Sequence, residues 1–344
     1  MGGAQYQAKL LLEHMLRDVD CELHYLARRV AGEFKPEGYQ ICRFGTSTGM
    51  NFLLDAPGLV RELKRIRPDS IYHQVGSAHT GIAAWYCKKY GAKLVWHLAS
   101  DVDVEPWEIG QRNNLVMSYI DKKILEYGLR NSEVIVAQTE HQRTLLSQHY
   151  GREVHDVISN FHPEPVEQID KSGPFQIAWV ANIKEVKQPE RFVDLAAALS
   201  DTEAQFLMVG ELKRDEKRWG DLAKRMDAMP NISYTGSVSQ ERVNEILGVS
   251  HLLVNTSVYE GFSNTFIQAW LREAPVYSLA VNPDGLLSDP SVGFCAENDF
   301  DSLVESVRQL ITKPERRSEI GLSSKTMAQE KFGMGNAARL AALL

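Results

Sequence analysis

Cysteine is scarce in this sequence: Cys21, Cys42, Cys87 and Cys295 lie far apart and form no Cys-x-x-Cys pair. Neither a disulfide framework nor a zinc site is expected, and a reducing cytosol fits. An apolar run of about 18 residues is lacking, as is a charged-then-apolar leader at Met1, so neither a membrane span nor a signal peptide is expected. Membrane contact would have to be peripheral, on the inner face. Low-complexity and charge-block segments are missing, which argues for a chain folded throughout. Positive charge is not in excess, with 38 basic against 45 acidic residues and a net charge of -7. That balance argues against a general phosphate-backbone binder, and no nucleic-acid partner is expected. No Gly-x-Gly-x-x-Gly follows a strand candidate, which ranks a dinucleotide dehydrogenase low.

The 344 residues present suit two domains of about 150 each. Short β-type apolar runs alternate with helical periodicity, the pattern of parallel sheets covered by helices. Strands are expected at 22–26, 39–44, 70–73, 93–97, 134–137 and 154–158, then at 175–180, 205–209, 232–234, 251–255, 275–279 and 292–295. Helices are expected at 189–199, 216–229, 239–247, 263–272 and 299–312, with Pro189 at a helix start and Pro230 at a helix end. The polar stretch 161–174 holds three prolines, Pro163, Pro165 and Pro174, and reads as a linker. The expected domains are therefore 1–160 and 175–344. A doubly wound domain normally opens with a strand running into a glycine turn, yet this chain passes from Gly2 and Gly3 directly into a helix-like stretch. The first strand of the N-terminal domain is expected to be lacking, through a truncated or misassigned start rather than a genuinely shortened protein.

Chemistry concentrates in Asn255-Thr-Ser-Val-Tyr-Glu-Gly-Phe-Ser-Asn-Thr-Phe-Ile-Gln-Ala-Trp270, which leaves an apolar strand, turns at Gly261 and enters a helix. Ser263 is expected as the N-cap. The backbone N–H groups of Ser263, Asn264 and Thr265 would then lie at a helix N-terminus, where dipole and donors favour a phosphate. Gln268 follows Thr265 and Asn264 by three and four residues and shares their face. Glu260 would sit beside whatever the phosphate carries. A strand, turn and capped helix is also a common structural unit of any α/β fold, so the residues alone do not settle this reading.

The segment resembles the signature of retaining family-4 glycosyltransferases (glycosyl transferases group 1). In that family a strand is followed by Glu-Gly-Phe, a small-residue turn and a second glutamate separated from the first by seven residues. The resemblance implies that Glu260 contacts the donor sugar, that Gly261, Phe262, Ser263, Asn264 and Thr265 hold the diphosphate, and that Gln268 meets the ribose diol. Gln268 departs from the usual glutamate; an amide can accept and donate where a carboxylate only accepts, at a cost of about 1 kcal/mol. In the segment from Phe175 to Glu190 the resemblance makes Lys187 the diphosphate-binding lysine. It puts Asn182 where arginine is more frequent, with Lys184 as a possible compensating cation. Gly236, Ser237 and Val238 correspond to the loop that meets the nucleotide base. His97 ends an apolar strand at the edge where open α/β sheets bind ligands; the resemblance implies that it faces the donor, whereas a lone histidine there is more often structural. His73 is a weaker acceptor-side candidate, together with Gly2 and Gly3.

The expected fold class is α/β, of GT-B type, with two doubly wound Rossmann-like domains facing across a cleft. The expected function is retaining, metal-independent transfer of a hexose-type sugar from a UDP- or GDP-sugar to a hydroxyl of a glycan or lipid-linked acceptor, as in polysaccharide synthesis. Glu260 and His97 would position the donor. No cofactor is implied, the nucleotide-sugar being a substrate. The rival readings are a degenerate nucleotide-sugar-binding protein and a nucleotide-sugar epimerase on the same fold.

Overall fold

The computed structural model describes residues 3–28, 36–45, 52–106, 115–213 and 216–344; Gly2 lies outside them. The chain forms two compact units, one running to Asn160 and completed by Gly335–Leu344, the other Phe161–Met334. The final stretch thus belongs with the first unit, whereas sequence reading placed it in a domain of 175–344.

In the first unit, α1 (Gly3–Asp18) precedes β1 (His24–Ala27) and β2 (Gln40–Arg43), which pair in parallel. There follow α2 (Phe52–Ile66), β3 (Ser70–Gln74), α3 (Ala78–Tyr90), β4 (Lys93–His97), α4 (Leu115–Asn131), β5 (Val134–Ala137), α5 (Glu140–Tyr150) and β6 (Asp156–Val157). Strands β3 to β6 form a second parallel sheet in sequence order, so the described strands fall into two separate ladders. The helices begin and end on sequence cues. Ser77 and Thr80 form a capping box at the start of α3, and Gly91 closes that helix at φ 78°, the left-handed conformation glycine adopts without strain.

The second unit holds β7 (Gln176–Val180), α6 (Pro189–Ala198), β8 (Gln205–Val209), α7 (Lys217–Asp227), β9 (Ile232–Tyr234), α8 (Gln240–Val249), β10 (Leu252–Asn255), α9 (Asn264–Trp270), β11 (Val276–Ser278), β12 (Gly293–Cys295), α10 (Phe300–Ile311) and α11 (Pro314–Phe332). Its sheet is wholly parallel in the order β12-β11-β10-β7-β8-β9. Alternate residues of each strand feed two apolar layers. Ile177, Trp179, Phe206, Met208, Leu252 and Val254 pack with Phe192, Leu222 and Leu303 on one face. Ala178, Val209 and Leu253 pack with Val243, Phe266 and Ala328 on the other. That period of two, with apolar residues in both phases, marks a sheet buried on both sides.

The 161–174 stretch is held to this second unit. His162 N–H donates to Phe332 O at 2.9 Å, Glu167 pairs with the buried Arg272, and Lys171 donates to the carbonyls of Leu247 and Ser250 at the end of α8. The last helix, α12 (Gly335–Ala341), belongs to the first unit, where Arg339 pairs with Asp156 at 2.8 Å.

Candidate active site

Strand order locates the site in the second unit. From β7 the chain winds outward to β8 and β9; from β10 it winds the opposite way to β11 and β12. Neighbouring β7 and β10 are parallel, so their outgoing loops leave the same edge and diverge. Such a reversal opens a crevice beyond the carboxyl ends of the strands, the usual ligand position in open α/β sheets. The loop after β7 carries Asn182, Lys184 and Lys187, and the loop after β10 carries Glu260 to Ser263.

The two loops are laced together. A 3-10 turn at Glu185–Lys187 delivers the chain to Gln188, whose φ of 42° and ψ of 56° place it in the left-handed region just before α6. Val258 N–H donates to Val186 O at 2.9 Å. The Thr256 hydroxyl lies 2.7 Å from Lys187 O and 3.0 Å from Gln188 O while accepting from the Trp179 indole N–H at 2.9 Å.

This lacing brings Lys187 Nζ to 2.8 Å from Glu260 Oε2. Ser257 Oγ and Asn255 Nδ2 donate to Oε1 of the same carboxylate at 2.6 and 2.8 Å. Burial works against ionisation of Glu260, but the Lys187 charge and the bonds from Ser257 and Asn255 outweigh it and hold the carboxyl below its ordinary range. A half-buried carboxylate and ammonium therefore stand charged together at the mouth of the sheet.

Ser263 takes the expected N-cap position of α9, but its hydroxyl lies 2.9 Å from that of Thr265 and makes no cap bond. Helix α9 runs from Asn264 to Trp270, shorter than the expected 263–272, and Glu273 just beyond adopts φ 56°. Phe262 packs its ring 4.9 Å from that of Phe332, which anchors the turn containing Gly261 to α11. Gln268 is buried on α9.

The loops after β8 and β9 continue the row. Gly210 N–H donates to Gly236 O at 3.0 Å, and a Cβ on Gly210 would stand 2.0 Å from Ala181 O, so only glycine fits that approach. Gly236 adopts φ 75°, and Val238 packs against the apolar layer that holds Phe262 and Phe266. Ser237, Asn182 and Lys184 are exposed. The expected donor-side residues thus share one edge of one sheet.

The first unit gives a different result for His97. Its ring is fully buried, with Nε2 2.9 Å from Ile158 O and Nδ1 3.0 Å from the Tyr72 hydroxyl. A carbonyl can only accept, so Nε2 carries the proton and Nδ1 accepts from Tyr72. Burial outweighs the bond to Ile158 and pushes the pKa down to about 4. Both ring nitrogens of His97 are thus satisfied inside its own unit, the arrangement of a structural histidine. His73 has Nε2 3.1 Å from Val75 O, and burial pushes it down to about 4 as well. Gly3 is the first residue of α1.

Two Asp-x-Asp spacings, Asp18-Val-Asp20 and Asp101-Val-Asp103, could in principle recruit a divalent cation. Asp103 instead accepts from the backbone N–H groups of Gly76, Ala99 and Ser100, and Asp18 is held by Arg17. Among the described residues no group of three or more potential metal ligands converges.

Asn255, Ser257, Thr256 and Trp179 hold the site together, and sequence reading gave them no role. The signal available was the spacing of Asn255 and Ser257, which at period two leave a strand end on one side.

Comparison with known proteins matches this arrangement. Residues 1–162 match the model of Glycosyltransferase Family 4, and residues 174–313 match that of Glycosyl transferases group 1. No curated protein sequence matches the chain. Among solved structures, sucrose-phosphate synthase from Thermosynechococcus elongatus superposes with a TM-score of 0.77 at 16% identity, over 99% of this chain and 92% of that one. HepE from Anabaena in complex with UDP-glucose gives 0.75 at 14% identity, over 99% and 95%. TarM of S. aureus gives 0.66 at 17% identity over 84% of this chain, which spans only 58% of TarM. At these identities the structures establish the fold, and the two family matches supply the rest: the chain belongs to the family-4 glycosyltransferases and has the GT-B fold.

Proposed function

We propose that the protein is a retaining, metal-independent glycosyltransferase that moves a hexose-type sugar from a UDP- or GDP-sugar to a hydroxyl of a glycan or lipid-linked acceptor. The observation that carries this reading is the Lys187–Glu260 pair beyond the carboxyl ends of β7 and β10. As the bond from sugar to nucleotide breaks, negative charge grows on the leaving diphosphate. Lys187 and the amides of the 261–265 turn would stabilise that charge where other enzymes use a metal. Glu260, freed from Lys187 as phosphate takes the ammonium, would accept hydrogen bonds from sugar hydroxyls. Gly236 to Val238 would meet the base. HepE, of the same fold, is a complex with UDP-glucose, which favours a uridine donor.

A thermal-shift screen of the full chain against UDP- and GDP-sugars tests the reading, because a ligand that binds only the folded state raises its melting point. The expected result is a shift with at least one of them, lost in Lys187→Ala and Glu260→Ala. NMR should then show release of a sugar with its anomeric configuration kept. Tight binding without turnover would establish a binding protein, and release of an altered sugar without acceptor would establish an epimerase.

Among the described residues no helix is long and apolar enough to cross a membrane, and we propose a peripheral contact through the C-terminal ends of α2 and α3, with the protein at the cytosolic face. Residues 61–93 carry seven basic against two acidic side chains in a chain of net charge -7. Trp85 and Tyr90 are exposed there, with Lys89 Nζ 5.1 and 5.7 Å from their ring centres and Lys64 Nζ 5.8 Å from Tyr90. Amphipathic rings beside snorkelling lysines fit an anionic lipid surface.

A further inference from the structure

Gln268 stands where the family resemblance would put a carboxylate, and its side chain is almost wholly buried, at 1% exposure. Its Nε2 lies 2.8 Å from Asn244 Oδ1 and 3.2 Å from Gln240 Oε1. Gln240 and Asn244 are four residues apart on α8, a spacing that puts both on one helical face, here the face against α9. Arg272 Nη1 donates to the backbone carbonyl of Gln268 at 3.0 Å, fixing the same turn from behind. An amide NH₂ has two protons, and both are taken. Gln268 Oε1 accepts no bond among the described residues and is not sealed from solvent.

We propose that Gln240 and Asn244 are positioning residues that consume both amide protons of Gln268 and turn it into an outward hydrogen-bond acceptor for the vicinal hydroxyls of the donor's ribose. The inference rests on the donor-site reading above. A free glutamine can present either end to a ligand; this one presents an oxygen, the half of a carboxylate's chemistry that a diol needs. A neutral acceptor accomplishes this without adding a second buried negative charge to the unit that already holds Glu260. The arrangement also has a polarity. Were all three amides reversed, Gln268 would offer protons outward, and a carboxylate at position 244 would then repel its inward oxygen.

Isothermal titration of the full chain with UDP and 2′,3′-dideoxy-UDP, and with GDP and 2′,3′-dideoxy-GDP, tests this. The wild-type protein should prefer the hydroxylated nucleotide by roughly three- to tenfold, the scale of one or two net hydrogen bonds. Asn244→Leu should bring that ratio close to one by weakening only the hydroxylated ligand. Asn244→Asp, still an acceptor for the amide, should keep it. If Asn244→Leu does not fold, Gln240→Leu at the first turn of α8 carries the same expectation. An unchanged ratio in the leucine variant, equal weakening of both ligands in a folded variant, or a ratio lost in Asn244→Asp overturns the positioning role while leaving the donor site intact. Failure of the wild-type protein to bind either diphosphate overturns both.

Discussion

Replacing Lys187 by methionine keeps the aliphatic stem and removes the charge that faces Glu260 at 2.8 Å. At an effective dielectric of about 20, two unit charges at that separation attract by about 6 kcal/mol, most of it offset by the cost of taking both out of water. Breaking such a pair by removing one partner typically costs about 3–5 kcal/mol, because the other charge is left buried. Here Ser257 and Asn255 still donate to Glu260, and the paired side chains keep 20% and 13% exposure. The expected loss is therefore at or below the lower end of that range, about 2–3 kcal/mol at neutral pH, read from urea denaturation.

The pH dependence separates this cause from simple loss of packing. In the wild-type protein the Glu260 pKa is lowered, so its contribution is complete above the ordinary glutamate range, about 4.3, and is lost as pH falls through the folded value. Without Lys187, burial is opposed only by hydrogen bonds and the pKa moves upward. The sign then reverses, since a carboxyl whose folded pKa is raised stabilises at low pH and loses that contribution as pH rises. The deficit of Lys187→Met should thus be largest at neutral pH and shrink on acidification. Adding Glu260→Gln should restore most of the loss. A deficit constant from pH 4 to 8, or a double variant as unstable as the sum of the two singles, would refute the reasoning.

The His97→Gln substitution keeps a donor for Ile158 O and an acceptor for the Tyr72 hydroxyl, so it should leave donor affinity unchanged; a large loss of affinity would return His97 to the donor site. Since His97 falls from 6.5 to about 4 on folding, the unfolded chain binds the extra proton between those values. The wild-type protein should lose about 3 kcal/mol from this group as pH drops through that window, and the variant should escape that loss. At the proposed membrane face, Lys64→Glu with Lys89→Glu should abolish co-sedimentation with vesicles containing phosphatidylglycerol and leave donor binding unchanged. Equal sedimentation of the double variant would remove that surface from consideration.

The fold was largely legible because its signals are local. Every described strand overlaps an expected segment, since a buried parallel strand announces itself as a short apolar run between turn residues. Pro189, Ser239 and Asp299 mark the helix starts or caps that their chemistry favours. The return of α12 to the first unit had no such signal, because nothing in an amphipathic helix states which of two units it will cover. Site residues divided along the same line. Glu260 and the 261–265 turn lie on one continuous segment and were readable as a unit.

What sequence could not supply is the meeting of segments. Lys187 and Glu260 could each be assigned to a nucleotide-sugar separately, yet their pairing depends on β7 and β10 being neighbours, a fact of sheet order. The partners of His97 were hidden for the same reason: the β3–β4 ladder sets Tyr72 beside Val95 and Gln74 beside His97, which brings the phenol within reach of the imidazole. Gln268 looked like a weakened carboxylate until α8 set Gln240 and Asn244 against it. In each case a polar side chain at a strand or helix end had several chemically reasonable partners, and burial permits only the option that satisfies every donor and acceptor. A departure from a family pattern therefore gains its meaning from the groups packed around it: the same glutamine would weaken a site if its amide were free to turn, and serves as a fixed acceptor when both protons are held.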